Sequence, residues 1–466
     1  RTNLVDQKFK EVLNAFVWNV ARSTVYIRDS PFAVQRNKNN YPGFPHVFCL
    51  YGTACNTSER YRSLDGSCNN LYTGRNFWGR AFTPFVRYLE AIYANCINEP
   101  RRSKLNESMK NARKISMEIS KGIPDPDPVH TTLLMAFGQF LDHDLELAPP
   151  EDLLKNISGT LQSVSPGCDT DCSTHNPYCL PIKIQDNDPD FPNTTCFPFT
   201  RTKSGPPDTC IPGPREQLNE VTAFLDLSQI YGSTKGQNMA LRNMTHPHLG
   251  LLRTEPHPLG FKELLPKGIG PGCKNLSDEV FCFRSGDVRV NDNAPLSAMH
   301  TVYHRYHNFI ATGLRKVNPH WSGGKLFLEA RRILIAIWQH QVYNEYLPLV
   351  LGPNMTKAYA LTITPSGYAH HWYRYDSAGI SNAFAAAAFR MLHSAIPDKV
   401  KTINSRNGIE GEFAFSETIH NPSLLFTQYP SMDSPVDAIL RGLFKEPMGK
   451  VSRRFTSQAS HKALDC

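Results

Sequence analysis

A group of polar residues at the end of an apolar stretch constrains the fold more than any other feature of this chain. The stretch Thr131–Phe137 is largely apolar, and Gly138–Asp144 follows it with the sequence Gly-Gln-Phe-Leu-Asp-His-Asp. Asp127-Pro128 precedes the stretch, and an Asp cap followed by Pro is a helix-start signal. We therefore predict a helix over residues 128–146 that carries the polar group.

In such a helix, Gln139, Asp142 and His143 project to nearly the same side, because positions three and four residues apart are neighbours. Burying an amide, a carboxylate and an imidazole together is unfavourable unless each has a partner. One interpretation is a helix end whose polar residues are solvated. The other is a functional site set into an apolar helix.

The composition excludes several classes of protein. Apolar residues make up 40% of the 466-residue chain and charged residues 20%, which is typical of a globular protein rather than a disordered one. No segment approaches the roughly 18 uninterrupted apolar residues of a membrane-spanning helix, so we predict no membrane span. The net charge of +8 is spread along the chain without a dense Lys/Arg block, which argues against a nucleic-acid partner.

Cysteines and glycosylation sequons together indicate a secreted, disulfide-bonded protein. Zinc bound in a cytosolic protein is the alternative, but the cysteine spacing lacks the paired C-x2-C of zinc sites. The chain starts without Met or an apolar leader, so we expect that a signal sequence is missing or removed, or that the chain is a fragment. The cysteines are Cys49, Cys55, Cys68, Cys96, Cys168, Cys172, Cys179, Cys196, Cys210, Cys273, Cys282 and Cys466, and the sequons start at Asn56, Asn106, Asn156, Asn193, Asn243, Asn275 and Asn354.

Hydrophobic periodicity predicts a mainly α protein with long loops and few strands. The irregular region 149–216 holds five cysteines, and a loop of that length in a compact domain requires ties such as disulfides. Residues 217–231 resume a regular pattern. Beyond 128–146, helices are predicted over 3–21, 104–121, about 294–316, about 325–346 and, in an Ala-rich stretch, 380–394.

Two further polar groups lie on or before predicted helices. Arg289 and Asp292 precede one helix, and a surface ion pair is the ordinary explanation for them. His300, His304 and His307 lie on one side of that helix, where they could hold a metal. Packing or capping is the better explanation, because structural histidines are common.

His393 closes the Ala-rich stretch, with Arg390 three residues before it. A lone His on an apolar helix is more often a hydrogen-bonded core residue. An axial iron ligand requires the same setting, a neutral imidazole on a rigid helix.

The stretch Thr222–Ser228 alternates oxygen-bearing and apolar side chains. An extended segment would place Thr222, Asp226 and Ser228 on one side, with backbone carbonyls between them. Calcium takes six to eight oxygen ligands of this kind. A half-buried strand explains the same pattern equally well.

Taken together, these groups resemble the animal haem peroxidases, and the resemblance spans nearly the whole chain in family order. It implies a mainly α fold with helices around a central haem, long disulfide-tied loops and little β structure. It further implies an N-terminal helix and extension over residues 1–40 and a peroxidase domain over 41–466. The motifs that carry the resemblance are Tyr61–Asn70, Gly138–Asp144, Thr222–Ser233, Gly286–Asp292, Met299–Thr301, His307-Asn308, Tyr346–Gly352, Ala388–Arg390 with His393, and Ile439–Leu443.

The resemblance implies catalytic roles for His143 as the distal base, Gln139 beside it and Arg289 as the distal cation. The cofactor would be a b-type haem. Its ligands and attachment points are implied to be His393 as the axial iron ligand, Arg390 at a propionate, Asp142 in an ester link, and Asp292 at the position of a second ester.

A calcium ion bracing the helix of His143 is also implied, with Asp144, Thr222, Phe224, Asp226 and Ser228 as its ligands. The family's cysteine pattern implies four disulfides. They are Cys55–Cys68, Cys168–Cys179, Cys172–Cys196 and Cys273–Cys282.

The function implied is a secreted peroxidase that reduces hydrogen peroxide and oxidises halide, thiocyanate or phenolic donors through a ferryl haem, with extracellular matrix or cell-surface contact as a further partner. A rival is a non-catalytic, peroxidase-like adhesion or binding protein. It is favoured by the C-terminus, because family members continue past Arg441–Leu443 into a segment that supports the proximal His, and the chain is therefore expected to be truncated. A calcium-binding module without haem is a third reading, but it leaves Asp142 and His393 unexplained.

Several positions depart from the family pattern, including Tyr306 in place of the acidic residue that usually precedes His307-Asn308, and three others bear on the expected haem. Asp292 is one methylene shorter than the usual Glu, which leaves the second ester open. Asn293 stands where some members have a haem-bonded Met, so that link is excluded. Leu392 replaces the Gly that usually precedes the proximal His, and we predict that it crowds the proximal side.

Overall fold

The computed structural model describes residues 54–456, except for 72–73, 106, 121, 158–159, 169–171, 174–175, 206–213, 271–275, 277–278, 365 and 368–376. The helix predicted over 3–21 and the extension over 1–40 lie outside the described residues. Cys49, Cys210, Cys273 and Cys466 also lie outside them.

The described part of the chain is mainly α-helical, which confirms the predicted fold class. The α-helices are α1 (Ala112–Ile119), α2 (Thr132–Leu145), α3 (Ser228–Tyr231), α4 (Lys235–Leu241), α5 (Ala294–Val317), α6 (Gly323–Gln341), α7 (Leu347–Ala358), α8 (Asn382–Ala386), α9 (Phe415–Thr418) and α10 (Pro435–Lys445). Segments of 3-10 helix cover Pro247–Leu249, Val288–Asn291, Ala388–Ala395 and Pro422–Phe426, and a π-helical turn, Val342–Tyr346, joins α6 to α7.

The strands are short and pair only antiparallel within the described residues. Their order is β1-β8-β7 in one sheet, with the separate pairs β2-β11, β3-β4, β5-β6 and β9-β10. The strands are β1 (Thr83–Pro84), β2 (Pro126–Thr131), β3 (Leu153–Ile157), β4 (Thr160–Val164), β5 (Ile182–Lys183), β6 (Cys196–Phe197), β7 (Ser204–Gly205), β8 (Glu216–Asn219), β9 (Lys399–Ile403), β10 (Ile409–Ala414) and β11 (Pro447–Gly449).

Helix α2 lies in the core, where it packs against α5 and α6. Phe140 of α2 stacks on Tyr303 of α5 with ring centroids 4.8 Å apart and meets Trp338 of α6 edge-on at 5.3 Å. All three rings are buried. Because each buried aromatic side chain contributes about 1.5–3 kcal/mol, these contacts hold α2 firmly in place.

The long helices α5 and α6 occur where periodicity predicts them. Asn293 caps α5 by accepting a hydrogen bond from the Leu296 N–H, and Ser322 caps α6 by accepting one from the Lys325 N–H. No helix among the described residues has the length and apolarity needed to cross a membrane.

The predicted start of α2 is wrong by four residues. Residues 126–131 form strand β2, which pairs with β11, and the helix begins at Thr132. The Asp127 carboxylate accepts hydrogen bonds from the N–H groups of Val129 and His130 instead of capping a helix. Pairing with a strand more than 300 residues away outweighs the local helix signal.

The Ala-rich stretch forms two short pieces instead of the predicted helix over 380–394. Helix α8 ends at Ala386, Ala387 leaves the helical conformation, and residues 388–395 form a 3-10 helix. Contacts from this second piece to α2 override the intrinsic helix propensity of alanine.

Disulfides tie the irregular loops. Cys55–Cys68, Cys168–Cys179 and Cys172–Cys196 are bonded, which confirms three of the four implied pairs. Cys282 is also disulfide-bonded. Within the described residues, Cys96 is a free thiol and is exposed.

Candidate functional site

Helix α2 buries the polar group that the sequence singles out. Asp142 and His143 are each 4% exposed and Asp144 is 0% exposed, so the interpretation of a solvated helix end is wrong. Gln139 is partly buried, and its side-chain oxygen accepts a hydrogen bond of 3.0 Å from the Asn293 amide. The burial of three titratable groups in consecutive positions identifies this part of α2 as the candidate active site.

Arg289 reaches the same site from the 3-10 turn Val288–Asn291. The Asp287 carboxylate binds its guanidinium in two places, at 2.9 Å from Nε and 2.7 Å from Nη2. Nη2 also donates to the Glu146 carbonyl at the end of α2. The surface pair of Arg289 with Asp292 that the sequence suggested is therefore wrong, because Arg289 pairs with Asp287 instead.

The buried Asp287 stays ionised because of this pairing. Burial acts to raise its pKa, but the Arg289 guanidinium holds the pKa of Asp287 well below its usual range. The Arg289 guanidinium is thus a fixed cation beside α2, and the Asp287 carboxylate is its main ionic partner.

His143 is neutral in this environment. Burial lowers the pKa of its imidazole well below the usual value, and the charge of Arg289 lowers it further. Its Nδ1 lies 4.0 Å from Asp287 Oδ1 and has no hydrogen-bond partner among the described residues. A neutral imidazole in this position is able to accept a proton from a bound reactant.

Asp142 lies between two arginines. Its Oδ2 is 3.1 Å from Arg390 Nη1 and 3.8 Å from Arg289 Nη1, while Oδ1 has no hydrogen-bond partner in the described part of the chain. Burial raises the pKa of Asp142, and the charge of Glu146 raises it further. One buried carboxylate oxygen is thus held in place without a partner.

Glu146 and Asp287 belong to the site although the sequence reasoning did not select them. Glu146 is fully buried one turn after Asp142, and its carboxylate pairs with Arg390 Nη2. The i, i+4 spacing from Asp142 was the available signal. For Asp287, the signal was its place as a helix-capping Asp two residues before Arg289.

The 3-10 helix Ala388–Ala395 brings Arg390 and His393 to this face of α2. The His393 side chain is accessible to solvent. Burial of its surroundings nevertheless lowers its pKa, and Arg390 adds to this shift. The imidazole of His393 is therefore neutral at pH 7 and accessible from solvent.

Asp292 lies just before α5 and is partly buried. Burial raises the pKa of its carboxyl to about 7. The carboxyl is therefore partly protonated near neutral pH, unlike the fully ionised Asp287.

Asp292→Asn is expected to remove a loss of stability that the wild type shows as pH rises from 3.8 towards 7. Over this range the unfolded chain ionises Asp292 while the folded chain keeps the proton, so folding becomes less favourable with rising pH. Between pH 5 and pH 8 the difference between variant and wild type should grow by roughly 2–3 kcal/mol, and it should level off above pH 7. Urea denaturation at these two pH values measures it. Asp186→Asn, at an exposed aspartate, is the control.

Asp144 and Asp226 form a second group of buried carboxylates next to the candidate site. Asp144 Oδ1 accepts a hydrogen bond of 2.7 Å from the Ser228 N–H, and Asp144 Oδ2 accepts one of 2.8 Å from Trp338 Nε1. Asp226 accepts a hydrogen bond of 2.9 Å from the Thr222 hydroxyl, while its Oδ2 has no partner among the described residues. The segment around Phe224 is bent rather than a strand, so the half-buried strand interpretation is wrong.

The chemistry of this pair fits a hard cation. Burial raises the pKa of Asp144, and the charge of Asp226 raises it further, so the two carboxylates repel each other without a cation. No group of three or more His, Cys, Asp or Glu side chains suited to a metal occurs in the described residues. A cation here would need hydroxyl and carbonyl oxygens from Thr222, Phe224 and Ser228, which are the ligands that calcium accepts.

The three histidines of α5 are structural. His304 and His307 bond through Nε2 to the carbonyls of Arg253 and Gly250, and His300 bonds through Nδ1 to the Ser285 hydroxyl. These bonds support the packing interpretation.

Comparison with known proteins gives the family. The sequence pattern described as "Animal haem peroxidase" matches residues 61–465. The chain belongs to the animal haem peroxidase family. The match covers α2, the Arg289 turn and the His393 segment.

Individual relatives support this assignment. The chain is 35% identical over 404 residues to the protein named Probable oxidoreductase PXDNL of Homo sapiens, covering 83% of this chain and 26% of that protein. It is 32% identical over 402 residues to Chorion peroxidase of Drosophila melanogaster, covering 85% of this chain and 48% of that protein. The chain thus spans about a quarter to a half of the length of these relatives.

A solved structure has the same fold. Peroxidase A from Dictyostelium discoideum superposes with a TM-score of 0.66 at 23% identity, covering 86% of this chain and 71% of that chain. At this identity the likeness concerns the fold alone.

The residues of the site fit the haem that the family implies. Two neutral imidazoles, His143 and His393, are presented by elements that meet at α2. Asp142 Oδ1 is a buried oxygen without a partner, as an attachment point requires. Arg390 adds a cation suited to a carboxylate such as a propionate.

Proposed function

We propose that this chain is the peroxidase domain of a secreted enzyme that reduces hydrogen peroxide and oxidises small anionic or phenolic donors. The observation that carries the proposal is the neutral, buried His143 beside the fixed Arg289–Asp287 pair. Bound haem would supply redox-active iron that accepts the oxidising equivalents of peroxide and passes them to the donor. His393 would bind the haem iron, Arg390 would bind a propionate, and Asp142 would form the ester link, with Asp292 at the second position.

The protein's own residues move the proton. Cleavage of the O–O bond requires that one oxygen lose a proton and that the departing oxygen gain one. His143 accepts the first proton and returns it to the departing oxygen, and Gln139 beside it would hold water or halide. Arg289 stabilises the negative charge on that oxygen because its guanidinium keeps its proton.

The compartment follows from cysteine chemistry, whereas charge does not select the donor. Arg289 is paired with Asp287, and Arg390 with Asp142 and Glu146, so halide, thiocyanate and small phenols all remain donors in this proposal. The disulfides of the described residues and the sequons are typical of an extracellular protein. A calcium ion at Asp144 and Asp226 would brace the helix that carries His143.

Haem-loaded protein is expected to oxidise a phenolic donor or thiocyanate only when hydrogen peroxide is present. Initial rates are measured by absorbance with each donor, with and without peroxide. Protein that binds haem and yet oxidises none of these donors would contradict the proposed activity. It would favour the non-catalytic adhesion or binding function instead.

A further inference from the structure

Leu392 is packed directly against α2 at Gly138. A Cβ atom added at Gly138 would overlap Leu392 Cδ1 and would lie 2.7 Å from the Tyr346 hydroxyl. Leu392 is only 8% exposed and belongs to the main hydrophobic core. The absence of a side chain at Gly138 is what lets the two elements touch.

Polar contacts also join the segment Ala388–Ala395 to α2, next to the contact between Leu392 and Gly138. Arg390, two residues before Leu392, binds Asp142 at 3.1 Å and also pairs with Glu146. Gly138, Asp142 and Glu146 are spaced four residues apart and therefore share one face of the helix. The segment Ala388–Ala395 is thus fastened to α2 over two helical turns.

The face of α2 that carries Gly138, Asp142 and Glu146 includes residues that would contact haem. Asp142 lies on it, and His143 follows directly. A planar cofactor bound between His143 and His393 must separate α2 from the segment that carries His393. The contact between Leu392 and Gly138 opposes this separation.

We propose that Leu392 is a steric determinant of haem binding, and that its contact with Gly138 closes residues 388–395 over α2 until haem displaces it. The inference rests on the proposed haem function. Haem binding then includes the free-energy cost of moving Leu392 out of the core. The apparent affinity equals the affinity of the open form multiplied by the fraction of protein that is open.

Two features make the segment Ala388–Ala395 easier to displace than a core α-helix. It is a 3-10 helix without a side-chain cap, and such helices are less stable than α-helices. The residues that lead into it, Ala386, Ala387 and Ala388, are exposed and make no core contacts. Leu392 and Arg390 hold the segment to α2, and Phe389, Met391 and Ala395 add contacts with the rest of the core.

Leu392→Ala is expected to bind haem about 10- to 100-fold more tightly than the wild type, while the melting temperature of the haem-free protein falls. Leu392→Gly, the family residue, should act in the same direction. Haem affinity is measured by absorbance titration of haem-free protein, and stability by thermal unfolding. A purely structural role would lower the melting temperature without increasing affinity.

Met391→Ala is the matched control, because Met391 is adjacent, is partly buried and is not among the nearest neighbours of Gly138. It should give no gain in affinity. Gly138→Ala tests the contact itself: it should lower the melting temperature strongly in the wild type and less in the Leu392→Gly background.

The outcomes separate the two claims. Equal haem affinity of the wild type and both Leu392 variants would overturn the role of Leu392 and leave the haem function standing. Failure of all variants to bind haem would overturn the proposed function and this inference with it. Tighter binding by the Leu392 variants alone supports both.

Discussion

His143→Ala is expected to lower kcat/KM for hydrogen peroxide by about 10²- to 10⁴-fold while the protein still binds haem. The imidazole is buried and neutral, and its Nδ1 lies 4.0 Å from Asp287 of the Arg289–Asp287 pair. Stopped-flow absorbance at limiting haem-loaded protein gives the rate of reaction with peroxide. A titration of haem on the same variant shows whether binding is retained.

His320→Ala is the matched control for this experiment, because His320 is exposed on a loop after α5. It should react with peroxide at the wild-type rate. A normal rate for His143→Ala would show that another group transfers the proton, and the assignment of His143 as the base would be wrong.

Calcium is expected to stabilise the wild type and to have little effect on Asp226→Asn. A ligand that binds only the folded state adds about 2.7 kcal/mol when its concentration is 100 times its Kd. In a chelator the order should reverse, and Asp226→Asn should be the more stable protein. The reason is that Asn removes the repulsion between the buried carboxylates of Asp226 and Asp144.

The pH dependence in chelator checks the same repulsion. Burial raises the pKa of Asp226 to about 6, so the folded protein binds a proton that the unfolded chain has already lost. Metal-free wild type should therefore lose stability between about pH 4 and pH 6, and Asp226→Asn should lose less. Asp125→Asn, at an exposed position, is the control. Equal calcium stabilisation of the wild type and Asp226→Asn would rule out this site.

The sequence is sufficient to predict the long helices and the group of polar residues that α2 carries. Helical periodicity locates α5 and α6, and the structure adds that Asn293 and Ser322 cap them. The polar residues of α2 are recognisable because Asp142 and His143 interrupt an apolar helix. These signals depend on residues close together in the sequence, so they can be recognised without knowing the tertiary contacts.

Features that depend on distant partners are not visible in the sequence. The start of α2 shifts to Thr132 because the preceding residues pair with β11. The break at Ala387 reflects contacts made by Arg390 and Leu392 with α2. Glu146 resembles an ordinary exposed residue at a helix end until Arg390 is placed beside it.

The candidate calcium segment shows the same limit. Alternating oxygen-bearing residues suggested an extended strand, but Leu227 has a φ of 58° and the chain turns there. Asp144 accepts hydrogen bonds from the N–H groups of Leu227 and Ser228, so the segment bends around this carboxylate. The alternation of oxygen-bearing side chains over Thr222–Ser228 is visible in the sequence. The turn at Leu227 that brings them to Asp144 is not.

The central claim is that His393 holds haem opposite His143, and one titration tests it most directly. Haem-free wild type, His393→Ala and the exposed-site control His340→Ala are each titrated with excess haem, and the Soret absorbance is recorded. We expect a saturable Soret band for the wild type and His340→Ala, and its loss in His393→Ala. A Soret band in His393→Ala identical to that of the wild type, or no band in any of the three, would contradict the account.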